Sequence, residues 1–437
     1  MTPGGCVTLL KEYFEQVSPA LIPEGDAMSR ILVTHAGSLI RPDELLSFLS
    51  AMDNDKAGDS GAYAAALHSA VAGVVRKQLE AGVDVIDDGE MGKSNWIGYL
   101  YERTKGLEPR PMGRDIAQYM PPSRDRQHFP GAYARQDALD TAATSSSSRA
   151  AAGDDGEPGS GGMVLWACTG PMSYDPAAQQ RDIANFKAAL ADAGVDPAQR
   201  DVFMPVVAPA SAYWLHNEYY KTEEEFVYAL ADVLHEEYRG IVDAGFLLQV
   251  DDAVLMHEAD SMMSLGKSWA DYRAWAQLRV EALNHALRGL PEDRIRYHIC
   301  FGSWHGPHAY DPPLRDNIDL VLTVNAKYYL MEQANPAHEH EWKIWQDVPL
   351  PEGKVLVPGV VTHHTNVVEH PELVAQRLVR LANVVGPDAV MGGTDCGFAQ
   401  GAFIQRVHEE IQWAKLASLA EGARIASRQL WGAKSQA

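Results

Sequence analysis

The stretch IRYHICFG at residues 295–302 carries the strongest structural and chemical signal in the chain. Its apolar character predicts a buried β-strand, and Gly302 marks the end of that strand. Residues two apart along a strand point to the same face of the sheet. His298 and Cys300 are therefore predicted to present an imidazole and a thiol side by side, which is the beginning of a zinc site.

Two further strand ends supply the rest of a ligand set. Glu332 ends the run YYLME, and Cys396 follows the run VMGGTD. Zinc takes about four ligands from nitrogen, sulfur and carboxylate oxygen. His298 and Cys300 alone would be equally consistent with packing in a core, since free cysteine behaves as a small hydrophobe. The matching positions of Glu332 and Cys396 favour a zinc site made of all four residues.

Alternating strands and helices predict an α/β fold with parallel strands joined by right-handed crossovers. Nine candidate strands begin near residues 31, 83, 163, 202, 246, 295, 327, 355 and 389. A (β/α)8 TIM-type barrel needs eight strands, and 202–207 is the one expected to be extra. The sequence TEEE at 222–225 predicts a capping box that opens a long amphipathic helix. Polar residues gather after the strands, where such barrels place their active sites.

Two regions are expected to lie outside the barrel. Residues 1–28 read as an N-terminal tail, so that the zinc-dependent barrel spans 29–437. Residues 105–162 read as a long insertion whose first half could form a lid. From 142 to 161 the insertion contains almost only small, polar and acidic residues. Such a composition buries too little apolar surface to order the chain, which predicts disorder there.

Composition limits the partners and the compartment. The formal charge is −22 over 437 residues, which argues against nucleic acid and anionic membrane as partners. No apolar run approaches the roughly 20 residues of a membrane span, and the N-terminus lacks a signal-peptide pattern. The 4 cysteines are too few for a disulfide framework, so a reducing, cytoplasmic location is expected. Assembly into a homo-oligomer stays open.

The ligand types indicate the chemistry. A site with two thiolates, a carboxylate and an imidazole can hold a substrate thiol as a thiolate at neutral pH. The sulfur-rich ligands would keep that thiolate nucleophilic, which favours S-alkylation over hydrolysis. A purely structural zinc is the alternative. The sequence HEHE at 338–341 could bind metal or support the Glu332 loop, and His363 or His364 could transfer a proton.

These motifs, in this order, resemble the catalytic half of cobalamin-independent methionine synthase. The resemblance rests on His298-x-Cys300, Glu332 and the sequence TDCG at 394–397, and it extends to the sequences GS at 37–38, DGE at 88–90, TGP at 169–171, QVD at 249–251 and GVV at 359–361. In that family a barrel holds homocysteine on zinc and methylates it from a methylated folate. The resemblance implies that Ser38, Glu90 and Asp251 hold the amino-acid end of the thiol, that His364 transfers a proton, and that Asp251 takes part in catalysis.

The resemblance leaves the alkyl donor open. The family's usual Asp-Glu-Pro-Ala reads Asp-Asp-Ala-Val at 251–254, and Tyr174 is the single aromatic shortly after the Thr-Gly-Pro turn. Short single-barrel members also resemble epoxyalkane:coenzyme M transferase, whose sulfonate substrate would call for Lys93 or Arg41. We therefore expect a zinc-dependent S-methyltransferase acting on homocysteine or a related aminothiol. An epoxide-opening thiol transferase and a non-catalytic metal- or thiol-binding barrel are the alternatives.

Overall fold

The computed structural model describes residues 30–52, 60–111, 122–138, 164–212 and 215–432. The predicted tail at 1–28 and the segment 142–161, for which disorder was expected, lie outside the described residues.

One six-stranded parallel sheet forms the larger part of a barrel. Its strands are β3 (Phe203–Val207), β5 (Leu247–Asp252), β6 (Ile295–Ile299), β7 (Tyr328–Glu332), β8 (Val355–Val361) and β9 (Gly393–Thr394). They lie in this order across the sheet, so each strand pairs with the next sheet strand along the chain. The pairing is parallel throughout.

Two short segments close the ring between β9 and β3. Val33 forms a parallel bridge with Gly392, and Ile86 forms one with Val202. The amide of Asp84 donates to the carbonyl of Val33 over 2.9 Å, which joins the two segments to each other. The ring thus has eight members, and the predicted (β/α)8 barrel is confirmed.

The extra strand is not the one that was expected. The segment at 202–207, predicted to be superfluous, pairs with β5 as a member of the barrel. The strand beginning near 163 is the one outside it: β2 (Val164–Tyr174) pairs antiparallel with β1 (Thr104–Pro111) and parallel with β4 (Leu215–Asn217). A mostly apolar run does not reveal which sheet it joins, because both environments bury it.

Helices cover the outside of the barrel and complete the βα alternation. The helix at Glu223–Asp243 begins as predicted, with the Thr222 hydroxyl accepting from the amide of Glu225. The other half of the predicted capping box differs, because the Glu225 carboxylate accepts from the amide of Lys221 instead of that of Thr222. The α-helices span Asp43–Met52, Ser60–Glu80, Gly98–Glu102, Arg124–His128, 130–138, Ala177–Asp192, Glu223–Asp243, Glu258–Ser264, Trp269–Ala286, Ile318–Val321, Ile344–Asp347, Pro371–Val385 and Glu409–Trp431. No helix in the described ranges combines the length and the apolar character needed to span a membrane.

The described parts of the predicted insertion are folded. Residues 104–111 form β1, and residues 124–138 form two helical segments. A two-stranded hairpin of β10 (Ala399–Gly401) and β11 (Ile404–Gln405) follows the barrel's last strand. These additions, together with the loops after the barrel strands, surround the end of the barrel where the predicted ligands lie.

Apolar layers on both sides of the barrel wall fix its strands. A small cluster of Val85, Phe203, Leu247, Leu330 and Val357 joins residues from five barrel segments. The larger core packs the helices against the outer face of the sheet. Strands buried on both faces in this way hold their C-terminal ends in fixed positions, which is what a multi-strand site requires.

Candidate metal centre

The barrel brings an imidazole and two thiols together from distant parts of the chain. His298 and Cys300 lie at the end of β6, and Cys396 lies just after β9. One nitrogen or sulfur atom from each of the three lies within 4.8 Å of the other two. His298 and Cys300 are buried and Cys396 is partly exposed. Three of the four predicted ligands therefore converge into what we call the His/Cys/Cys group.

The polar atoms of this group fit a metal ion. Neither ring nitrogen of His298 completes a well-formed hydrogen bond among the described residues, and the polar group that lies against the ring is the Cys396 sulfur. A buried ring in this state is costly unless something binds its nitrogens. Burial alone would lower the pKa of His298, but the Cys396 sulfur and nearby carboxyl groups raise it. The contact between the two sulfurs lowers the pKa of Cys396 well below its usual range and raises that of Cys300. A thiolate beside an unsatisfied imidazole suits a borderline-soft cation such as zinc.

Glu332 lies beside the His/Cys/Cys group but is not one of its members. Its side chain is 1% exposed at the end of β7, the strand next to β6. Oε1 accepts from the amide of Phe301 over 3.2 Å, and Oε2 accepts from Asn335 over 2.9 Å. Burial raises the pKa of this carboxyl group. Glu332 stays a predicted fourth ligand, already oriented by hydrogen bonds from two partners.

Carboxyl groups stand on the barrel segments that precede the His/Cys/Cys group. Asp251 pairs in register with His298, and its Oδ1 accepts from Gln249 over 2.8 Å. Burial raises the pKa of Asp251 to about 7, and the negative charge of Glu90 adds to the effect while His298 opposes it. Asp251 and Glu90 thus influence one another at one end of the barrel, and their role in holding a substrate stays a prediction.

Ser38 contacts the loop that carries Cys396. A Cβ atom added to Gly397 would lie 2.2 Å from Ser38 Oγ, and the amide of Phe398 donates to the carbonyl of Ser38 over 2.8 Å. Gly397 therefore permits a close approach that any side chain would block. Ser38 is thereby held next to a predicted metal ligand.

Two buried cations accompany Glu90. Lys93 Nζ lies 3.5 Å from Glu90 Oε2 and donates to the carbonyl of Pro205 over 2.5 Å. Arg41 donates from one terminal nitrogen to the carbonyls of Glu90 and Lys93. The sequence had suggested Lys93 and Arg41 as sulfonate-binding candidates. Lys93 faces the Glu90 carboxylate, so the pocket is less negative than the two carboxyl groups alone would make it.

Sequence and structure comparisons show what the chain is similar to. No family model matches it. Methionine synthase of Saccharolobus solfataricus is 26% identical over 221 residues, which is 50% of this chain and 56% of that protein. The chain therefore matches little more than half the length of that relative. Methionine synthase of Sulfolobus acidocaldarius is 23% identical over 369 residues, covering 84% of this chain and 83% of that protein.

A solved structure extends the likeness to the fold. A B12-independent methionine synthase from Shewanella sp. W3-18-1, in complex with selenomethionine, superposes with a TM-score of 0.64 at 17% identity, covering 92% of this chain and 100% of that chain. The chain is thus similar to methionine synthases in sequence over most of its length and shares the fold of B12-independent methionine synthases.

His364, which the resemblance predicts to transfer a proton, lies close to two other histidine rings. Its ring lies 4.7 Å from that of His363 and 5.9 Å from that of His305. Burial lowers the pKa of His364 to about 4, and His305 and the other basic groups nearby, His308, Arg406 and Lys415, add to the effect. His363 is 1% exposed and has no hydrogen-bond partner for either ring nitrogen among the described residues. Burial lowers the pKa of His363 well below its usual range as well, so both rings are neutral at pH 7. Neither belongs to the His/Cys/Cys group.

Sequence reasoning missed the residues that support the ligands. Asn335 orients Glu332, and Phe301 both follows Cys300 and donates its amide to Glu332. Neither residue type signals a metal centre. Each of them follows a predicted ligand by no more than three residues. That proximity is the signal that could have found them, because supporting partners are often close neighbours in loops.

Proposed function

We propose that this chain is a zinc-dependent S-methyltransferase that transfers a methyl group to the sulfur of homocysteine or a related aminothiol. The observation that carries the proposal is the His/Cys/Cys group, whose ligand atoms lie within 4.8 Å of one another at the end of the barrel. The similarity to methionine synthases supports the reaction class. The need for free thiols, and the absence of a disulfide at Cys168, Cys300 and Cys396, support a reducing, cytoplasmic setting.

His298, Cys300 and Cys396 would hold the metal, with Glu332 as the proposed fourth ligand. Zinc, when bound, would hold the substrate sulfur and lower the pKa of its thiol, so that the sulfur is a nucleophile at neutral pH. The chain's own contribution is to fix the ligands on rigid strand ends. Burial of the group limits access of water to the reacting sulfur.

The carboxyl groups would recognise the amine of the acceptor. An ammonium group between Glu90 and Asp251 gains charge-assisted hydrogen bonds, each worth roughly 1.5–3 kcal/mol. Ser38, held against the Cys396 loop, would contact the same end of the substrate. Asp251, with a pKa of about 7, is matched to accept a proton at neutral pH, whereas His364 is a weak base there.

One observation favours the second reading, an epoxide-opening thiol transferase. Lys93 places a buried cation 3.5 Å from Glu90, and a sulfonate-bearing thiol such as coenzyme M requires a cation in its pocket. For the methyltransferase we propose a methylated folate as the methyl donor. For the epoxide-opening transferase, an epoxide would take the place of that donor. The two readings share the same metal centre and differ in the groups that hold the acceptor and in the donor.

Mass spectrometry of the reaction mixture tests the proposal. Zinc-loaded protein is incubated with homocysteine or coenzyme M, together with a methylated folate or an epoxide. We expect S-methylated homocysteine from the wild type and none from Cys396→Ala. Alkylated coenzyme M as the sole product would replace the proposal by an epoxide-opening thiol transferase. If no combination gave a product, the proposed transferase activity would be rejected in favour of a binding barrel or a structural zinc.

A further inference from the structure

His338 is a buried, doubly paired imidazole on the loop after Glu332. It is 3% exposed. Its Nε2 lies 3.0 Å from Asp311 Oδ2, and its Nδ1 lies 3.1 Å from Glu341 Oε2. With a carboxylate oxygen at each nitrogen, both nitrogens donate and the ring is an imidazolium. Burial alone would lower the pKa of His338, but the hydrogen bonds to Asp311 and Glu341 raise it to about 10.

The carboxylates that hold His338 tie it to the loop after Cys300. Asp311 lies at the far end of that loop and also binds His308 Nδ1 over 2.9 Å. Glu341 accepts from the amide of Leu314 over 2.7 Å through its other oxygen. The imidazolium therefore links the loop after β6 to the loop after β7, using charges that neutralise one another in a buried setting.

The face of the His338 ring also makes a close contact. It stacks on Phe301 with ring centroids 3.6 Å apart and an interplanar angle of 13°. Phe301 follows Cys300 directly and donates its amide to Glu332 Oε1. The backbone amide of His338 donates to the carbonyl of Asn335 over 2.9 Å, and the Asn335 side chain donates to Glu332 Oε2.

We infer that His338 is a positioning residue whose ring sets the geometry of two metal ligands through Phe301: Cys300, which precedes Phe301 directly, and Glu332, which accepts from the Phe301 amide. It touches neither ligand and takes no part in the reaction. The inference rests on the proposed function, because it assumes that Cys300 and Glu332 bind the metal. It goes beyond that function by assigning a role to the HEHE sequence, whose residues do not join the His/Cys/Cys group.

The neighbouring His340 provides a matched control. It lies two residues away in the same sequence, and its side chain is exposed. We compare His338→Gln with His340→Gln by measuring zinc affinity in competition with a chelator at a temperature well below unfolding. Loss of a partner that orients a ligand typically weakens metal binding about 10- to 100-fold. We expect that loss in His338→Gln and affinity within twofold of wild type in His340→Gln.

A spectroscopic measurement separates positioning from stability alone. Cobalt-substituted wild type should show thiolate-to-cobalt charge-transfer bands, and His338→Gln should shift them because Cys300 is displaced. A lower melting temperature with unchanged zinc affinity and an unchanged cobalt spectrum would overturn the inference. Should His338→Gln not fold, Asp311→Asn removes one of the two carboxylates and is expected to change both measurements in the same direction. Wild type that binds no zinc would instead overturn the proposed function.

Discussion

At the scale of single residues, Glu90 shows how the substrate pocket is assembled. Its φ is 57°, a left-handed backbone that residues other than glycine seldom adopt. The Asp88 side chain accepts from the Glu90 amide over 3.0 Å, and Arg41 binds the Glu90 carbonyl over 2.7 Å. These contacts hold the strained turn, and the strain places the carboxyl group beside Lys93.

The first prediction concerns the choice of thiol. Glu90→Gln keeps the shape and the backbone of the turn but removes the charge. We expect wild type to bind homocysteine at least about tenfold more tightly than coenzyme M, since ~1.4 kcal/mol gives that factor. In Glu90→Gln the ratio of the two affinities should be smaller, because homocysteine binds more weakly. The zinc content of the variant should be unchanged.

Calorimetry of the zinc-loaded proteins measures both affinities. Tighter binding of coenzyme M by wild type would reject the aminothiol assignment. It would also show that Lys93, rather than Glu90, dominates the pocket.

The second prediction follows from the raised pKa of Asp251. Because the folded-state pKa of about 7 lies above the usual value near 4, the native state binds an extra proton between these values. Stability should therefore fall as the pH rises through that window. Asp251→Asn has no carboxyl group to ionise and avoids this loss of stability. Its free energy of unfolding relative to wild type should therefore increase from pH 5 to pH 8. The side chain keeps some exposure, and we expect a growth on the order of 1–2 kcal/mol.

Urea unfolding of the metal-free proteins at the two pH values gives this difference. A constant stability difference between the variant and the wild type would show that Asp251 titrates normally. Working without metal keeps the measurement independent of ligand binding.

How far single residues could be predicted depended on the range of the interaction. The convergence of His298, Cys300 and Cys396 was predicted because each is a common metal-ligand type and each lies at or just after the end of a strand. The pairing of Lys93 with Glu90 was not predicted as such, since it requires the left-handed backbone at Glu90. The stacking of His338 on Phe301 joins two loops, and neither loop's sequence contains that information.

At the scale of elements, the sequence predicted where the strands lie but not which sheet each strand joins. Apolar runs ending in polar residues located every barrel strand. The assignment of 202–207 as extra was wrong because β2 and β3 are both partly or fully apolar, and pairing partners decide between them. The N-cap at Thr222 was predicted correctly because capping is local: a hydroxyl and an amide three residues apart suffice.

The third prediction concerns the segment at 142–161, which lies outside the described residues. Its composition offers almost no apolar side chains for a core, so removing it should cost little free energy of unfolding. We expect deletion of 142–161 to shift the melting temperature by no more than a few degrees. Zinc content should not change.

Thermal unfolding of the deletion variant beside the full chain checks this, with circular dichroism to confirm the fold. Loss of folding would mean that the segment packs on the barrel. The insertion would then have to be treated as part of the domain.

At the scale of the whole molecule, the barrel is what turns scattered residues into one site. The ligands come from strands joined by long crossovers, and parallel strands place their C-terminal ends at the same rim. The sequence could therefore predict the site's location from strand order alone. It could not predict that Glu332 would point its oxygens to Phe301 and Asn335, because that depends on side-chain packing between loops.

Zinc content is the most direct test of the central claim, that His298, Cys300 and Cys396 form a metal centre. Metal analysis by mass spectrometry is applied to wild type, Cys300→Ala, Cys396→Ala and the control Cys168→Ala. Cys168 is a free, buried cysteine on β2, outside the barrel sheet. We expect one zinc per chain in wild type and in Cys168→Ala, and little or none in the other two. Full zinc occupancy in both Cys300→Ala and Cys396→Ala would contradict it.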